Sequence, residues 1–219
     1  ANLFSDKARA DDEGEPLRYR TASLGAILGT LVLMFFAYAM GMSWWLIIAF
    51  FAIYFALSLA ITRMRAELGP PAHDLHNAGP DAILPAVIGP SKLGTQNLVA
   101  LSLMFWFNRA YRSHPMPHQL ETLRVCQRSH TPSYGIALAI LLGVVWGALS
   151  HFWSYLHIAY NLGARAKMTG WGTYGYGVEA FTRLQGWITN PTGPNWAVAG
   201  AMTWGLISTI GLMILQARY

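Results

Sequence analysis

The sequence predicts an all-α, polytopic transmembrane helical bundle with three to five spans and one re-entrant or broken segment. Three observations carry this. Only 11% of the 219 residues are charged while 54% are hydrophobic, against about 25% charged in a typical soluble domain. Three long stretches hold no Asp, Glu, Lys or Arg at all: 21–62, 129–164 and 184–217. About 20 apolar residues cross the hydrocarbon core of a bilayer, so the first stretch allows two crossings and each of the others at least one. Between them, residues 66–96 crowd prolines and glycines around a short apolar piece, the composition of a broken helix.

Taken in order, residues 1–20 read as a polar tail or loop. The run Asp11-Asp12-Glu13-Gly14-Glu15-Pro16 has nothing apolar to bury. The remainder, 21–219, is the membrane domain. The first span is expected over 22–40, with Gly25 and Gly29 four apart, a spacing that allows close approach of another helix. Gly41-Met42-Ser43 then turns the chain into a second span over 44–62, which opens with Trp44-Trp45 at the level of an aromatic belt. Arg63 and Arg65 close it. The positive-inside rule places that end, and with it the N-terminal tail, on the cytoplasmic side.

The segment 80–108 is the short or re-entrant one. Ala82–Ile88 is apolar but lies between Pro80, Pro85, Gly89 and Pro90, and Leu98–Phe107 is too short for an easy crossing. A return to its own side keeps Lys92, Arg109, Arg112, Arg124 and Arg128 all cytoplasmic. An interfacial helix is expected over 118–128, and a third, unusually long span over 134–162. A second interfacial helix follows over 178–188, with Phe181, Leu184, Trp187 and Ile188 facing lipid. The last span is expected over 196–216.

The net charge of +5 sits mostly beside apolar segments, so it speaks for anionic lipid and topology, not nucleic acid. The single cysteine, Cys126, excludes an intramolecular disulfide and reads as an inert thiol. No nucleophile elbow, phosphate loop or paired-cysteine metal site is present.

Three groups of residues could carry chemistry. Glu67, His73, Asp74 and His76 lie in the breaker-rich segment, and Asn108, Arg109 and Arg112 follow the short apolar helix. Ionisable groups near membrane depth mark function by default, so these seven form the candidate solute-binding set. Arg109 and Arg112 could grip an anionic group through paired donors or reach out to lipid phosphates. Glu67 or Asp74 is expected to pair with Arg109 or Arg112, because a carboxylate beside an apolar interior needs a partner. The second group is His73, His76, His114 and His118, four imidazoles in two clusters. Hydrogen bonding to backbone carbonyls is the first reading of these imidazoles and substrate or proton handling the second; third, they could hold zinc, copper, iron or nickel. A metal ion is the cofactor these residues suggest, and an axial bond from His151 or His157 to haem or chlorophyll is the other cofactor reading. The third group, His151 and His157, is six apart, on different faces of a helix, and unable to share one ligand.

Arg65-Ala-Glu-Leu-Gly-Pro-Pro-Ala-His-Asp-Leu-His76 and Phe107-Asn-Arg-Ala-Tyr-Arg-Ser-His-Pro-Met-Pro-His-Gln-Leu-Glu121 resemble motifs of a family of large bacterial polytopic membrane proteins of unknown function. Trp171-Gly-Thr-Tyr-Gly-Tyr-Gly, Glu179-Ala-Phe and Thr189-Asn-Pro agree with it. The likeness runs from about Tyr19 to the end. It implies the bacterial cytoplasmic (inner) membrane, and a chain similar to an interior-to-C-terminal portion of a longer protein. The family's architecture is similar to that of oligopeptide-type transporters, and it carries no known site residues across. The leading expectation, resting on the broken membrane element with Glu67, His73, Asp74, His76, Arg109 and His114 beside it, is part of a transporter or permease for a small polar or anionic solute. The alternatives are a structural or accessory subunit of a membrane complex and, third, a membrane-embedded metal-dependent enzyme. The expected partners are the lipid bilayer and further membrane helices, from the same longer protein or from a partner subunit.

Overall fold

The computed structural model describes residues 16–69, 74–112, 114–164, 166–168 and 175–218. Among the described residues the chain is helical without strands, as its composition predicts. The helices are α1 (Tyr19–Ala39), α2 (Trp44–Leu68), α3 (Pro80–Ile88), α4 (Pro90–Leu93), α5 (Thr95–Leu103), α6 (Phe105–Asn108), α7 (Pro115–Ser129), α8 (Ser133–Leu162), α9 (Tyr176–Thr189) and α10 (Trp196–Arg218).

Three of these, α1, α2 and α8, are long and apolar enough to cross a membrane. The expected fourth span over 196–216 forms α10, whose described apolar part is Trp196–Leu212. Several boundaries differ from the sequence reading: α7 starts at Pro115 where 118 was expected and α9 at Tyr176 where 178 was expected, and two further shifts are at α1 and α2. Helix α1 starts at Tyr19, so the tail expected over 1–20 gives up its last two residues to the helix; residues 1–15 lie outside the described residues. Helix α2 runs on to Leu68, past the expected end at 62. Arg63, Met64, Arg65 and Glu67 are good helix formers, and the Arg63–Glu67 pair at i,i+4 supports the added turn.

The breaker-rich stretch is broken as expected, into four short helices. Gly79, in extended conformation (φ −77°, ψ 167°), caps α3, and Pro80 takes its first position, where a missing N–H costs nothing. Pro85 cannot donate to the carbonyl one turn back, at Asp81. Gly89 (φ +91°) ends the helix, with its N–H on Pro85 O at 3.0 Å. A Cβ there would lie 2.6 Å from Pro194 N and 2.7 Å from the Gly193 carbonyl carbon, so only glycine fits. Gly94 (φ +77°) separates α4 from α5, and a bend at Met104 separates α5 from α6.

The chain divides into two compact units. One comprises the chain up to Phe36 with Phe55–Asp74 and Tyr111–Tyr176. Here Arg65, on the last turns of α2, forks onto Glu121 of α7, with Nη2 to Oε2 at 3.0 Å. Helix α8 has no buried residue along its 30 positions. The other unit comprises Ala37–Tyr54, Leu75–Ala110 and Gly177–Tyr219. Its core holds Ala37, Met42, Leu46, Ile47, Phe50, Leu84, Leu98, Leu101, Met104 and Phe105. Asn97 ties the turn before α2 to α5. Its Oδ1 accepts from Ser43 N (2.8 Å), while Nδ2 donates to Ser43 Oγ (3.1 Å) and Leu93 O (2.8 Å). Leu184, expected to face lipid, is buried instead, because α9 turns that side inward with Ala180; Phe181 and Ile188 are exposed as expected.

Candidate functional site

Among the described residues, the buried polar groups Asp81, Asn97, Ser102 and Asn108 lie in the second unit. Asp81, in the first turn of α3, is only 2% exposed. Its Oδ2 accepts from Arg183 Nη2 of α9 at 2.7 Å. One turn earlier on α9, Glu179 accepts from Arg109 Nε at 3.0 Å. Glu179 and Arg183 are four apart and so share one helix face. That face presents an anion and a cation, and Arg109 and Asp81 answer with the opposite order.

Phe105 lies between the two pairs. The Arg183 guanidinium carbon is 4.4 Å from its ring centroid and that of Arg109 is 5.9 Å away; Trp187 approaches Arg183 from α9 at 5.6 Å. Stacking on aromatic rings partly replaces the water a guanidinium loses on burial. The four formal charges cancel, as buried charges must if the cost of removing them from water is to be met.

Asn108 is fully buried at the end of α6. Its Nδ2 donates to Met104 O at 3.3 Å, which turns Oδ1 toward Gly79. Asn108 Oδ1, Ser102 Oγ and Arg183 Nε are buried and without a hydrogen-bond partner, while the Asp81 carboxylate also meets the backbone N–H groups of Asp81 and Ala82. Nearby, Asn77 (φ +56°) donates its N–H to Arg109 O at 2.8 Å, fastening the loop before α3 to the chain just after α6.

The residues expected from sequence fall out as follows. Asn108 and Arg109 belong to this cluster. Asp74 pairs with Arg112 in the first unit at 3.0 Å, one of the ion pairs expected. Glu67 does not join that pair or Arg109. It is exposed and reaches Arg63 on its own helix at 2.8 Å, because the extension of α2 brings an arginine within one turn. Arg109 takes Glu179 in place of Glu67 or Asp74. His76 is exposed, and His118 is exposed with Nε2 3.5 Å from Arg112 O. His114 packs edge-on against Tyr111. Among the described residues no three His, Cys, Asp or Glu side chains gather to hold a metal ion, so His76, His114 and His118 do not form that site by themselves. His73, named for both the metal and the solute sites, lies outside the described residues. His151 and His157 are exposed on α8, each ring stacked on a neighbour of that helix.

Asp81, Glu179 and Arg183 are the members that sequence reasoning passed over. One local signal pointed to them, the Glu179/Arg183 spacing on a helix otherwise read as amphipathic.

No curated protein and no solved structure matches the chain. A family model matches residues 1–219, and the chain belongs to that family, DUF6785, a family of unknown function.

Proposed function

We propose that this membrane protein is part of a permease for a small polar solute, with the charge-neutral cluster of Asp81, Arg183, Arg109 and Glu179 as its polar interior. The observation that carries the reading is Asp81, an almost fully buried carboxylate on a broken helical element. Buried ionic groups in membrane proteins line solute and ion paths, and discontinuous helices recur at transporter sites. The anionic half of the earlier expectation loses support, because Arg109 and Arg112 each already hold a carboxylate. The basic end of α2 orients that end to the cytoplasm, in keeping with a bacterial inner-membrane protein.

The protein reconstituted in liposomes is expected to give saturable uptake of one or more members of a panel of small polar solutes. Uptake no faster than in empty vesicles across a broad panel overturns the reading.

A second reading, an accessory subunit, draws on one feature. Helix α8 leaves Trp146, Trp153 and Tyr160 each more than two-thirds exposed, a surface that lipid or a partner helix would cover. Purification in mild detergent that brings down a stoichiometric partner favours this reading; a homo-oligomer alone weighs against it.

A further inference from the structure

In the first unit, the ion pairs leave two cations of helix α7 over. The acids of this unit among the described residues are Glu67, Asp74 and Glu121, and they hold Arg63, Arg112 and Arg65 respectively. Glu121 stands three residues before Arg124 on the same helix, yet its arginine comes from α2. Arg124 and Arg128 are exposed, and neither is paired with a carboxylate among the described residues. They are four apart and so leave one face of α7 a turn from each other. Arg124 Nη1 donates to Gln127 Oε1 at 3.1 Å, a neutral partner that leaves both guanidinium charges unbalanced.

The surroundings of this pair match a membrane surface. Span α8 begins at Ser133, directly after the turn that follows α7, and its first turns expose Tyr134, Leu138 and Leu141. The arginines thus stand where the chain enters the hydrocarbon, at the depth of the headgroups. On α7 itself Leu120, one turn before Arg124, is 45% exposed and Val125 is 63% exposed. Outward apolar side chains beside unbalanced cations suit the interface, where the apolar groups enter the acyl boundary and the cations reach the phosphates.

We propose that Arg124 and Arg128 together bind the phosphate of an acidic phospholipid where α8 enters the membrane, with the acyl chains lying along the exposed apolar side chains. Charge complementarity selects this occupant. Two guanidinium groups a helical turn apart offer several N–H donors to the phosphate oxygens. A zwitterionic lipid brings a cation of its own, which the pair repels, whereas a lipid such as phosphatidylglycerol brings net negative charge. Basic residues beside a span attract acidic lipids in this way. The proposal does not rest on the permease reading.

The test is native mass spectrometry of the detergent-solubilised full chain, titrated with phosphatidylglycerol or with phosphatidylcholine of the same acyl chains. The wild type is expected to bind its first phosphatidylglycerol more tightly, by roughly fivefold for each arginine and so roughly 25-fold in all. Arg124→Gln and Arg128→Gln should each lose about one such factor. The double variant should bind both lipids alike, with its affinity for phosphatidylcholine unchanged. Arg63→Gln, which removes a cation of the same unit that Glu67 already balances, should keep the preference. If the double variant fails to fold, the two single variants still decide. Equal binding of the two lipids by the wild type overturns the proposal. So does a preference that the double variant retains, which leaves the arginines as complements of the helix C-terminus. A preference that Arg63→Gln lowers as much as the α7 variants do would mean diffuse charge in place of a site. Displacement of the lipid by an equal concentration of glycerol phosphate would mean a site for free phosphate and would equally overturn it.

Discussion

Asp81 and Glu67 are both carboxylates beside an arginine, yet burial gives them different weight. Asp81 is screened from water and its partner Arg183 is about a quarter exposed, whereas Glu67 and Arg63 are each more than half exposed. Asp81→Asn should therefore lower stability by about 3–5 kcal/mol, the cost of leaving a buried charge unmatched. Glu67→Gln should change it by less than about 0.5 kcal/mol. Chemical denaturation of the two variants in the same detergent checks both, and similar losses in each would contradict the assignment of burial. The sequence marks Asn108, Arg109, Asp74 and Arg112 because they stand next to helix breakers in an uncharged setting. It does not reveal that Arg109 takes Glu179, 70 positions away. Spacing along the chain carries information only over a helical turn or two, and the pairing of α9 with α3 and α6 is tertiary.

At the scale of elements, the broken segment was legible and its fastening was not. Pro80, Pro85, Gly89, Pro90 and Gly94 set the breaks where the helices end. The fastening comes from Asn97, which reads in the sequence as the last of three polar residues, Thr95-Gln96-Asn97, ahead of an apolar run. Two of its bonds hold α5 to Ser43 in the turn before α2, and a third holds it to Leu93 at the end of α4. Asn97→Ala should destabilise by about 1–3 kcal/mol, since it strips a buried network of its centre; a midpoint unchanged from wild type would contradict this. Leu184 was misread because the sequence of α9 has apolar residues on more than one side, and only packing decides which of them turns inward. The expectation that 80–108 returns to its own side is open to labelling. Single cysteines at positions 92 and 128, in a Cys126→Ser background, should react with an impermeant thiol reagent from the same side of sealed vesicles. Labelling from opposite sides would mean that the segment crosses.

Among the described residues the molecule is a helical membrane protein without strands, and that much follows from charge depletion together with the length of the uncharged stretches. Its three candidate spans expose apolar side chains along most of their length, in keeping with lipid or further helices as their surroundings. The account's central claim is that the neutral four-charge cluster serves transport and is more than a staple between helices. Uptake by proteoliposomes containing Glu179→Gln tests it most directly, since this change keeps the shape of the side chain and leaves a hydrogen-bond acceptor for Arg109. The account predicts correctly inserted protein, destabilised by less than Asp81→Asn because its carboxylate is less buried, whose solute uptake per folded molecule falls at least about tenfold, the kinetic equivalent of one charge-assisted hydrogen bond. Wild-type uptake accompanied by a clearly lowered midpoint would contradict it and leave the cluster a structural device.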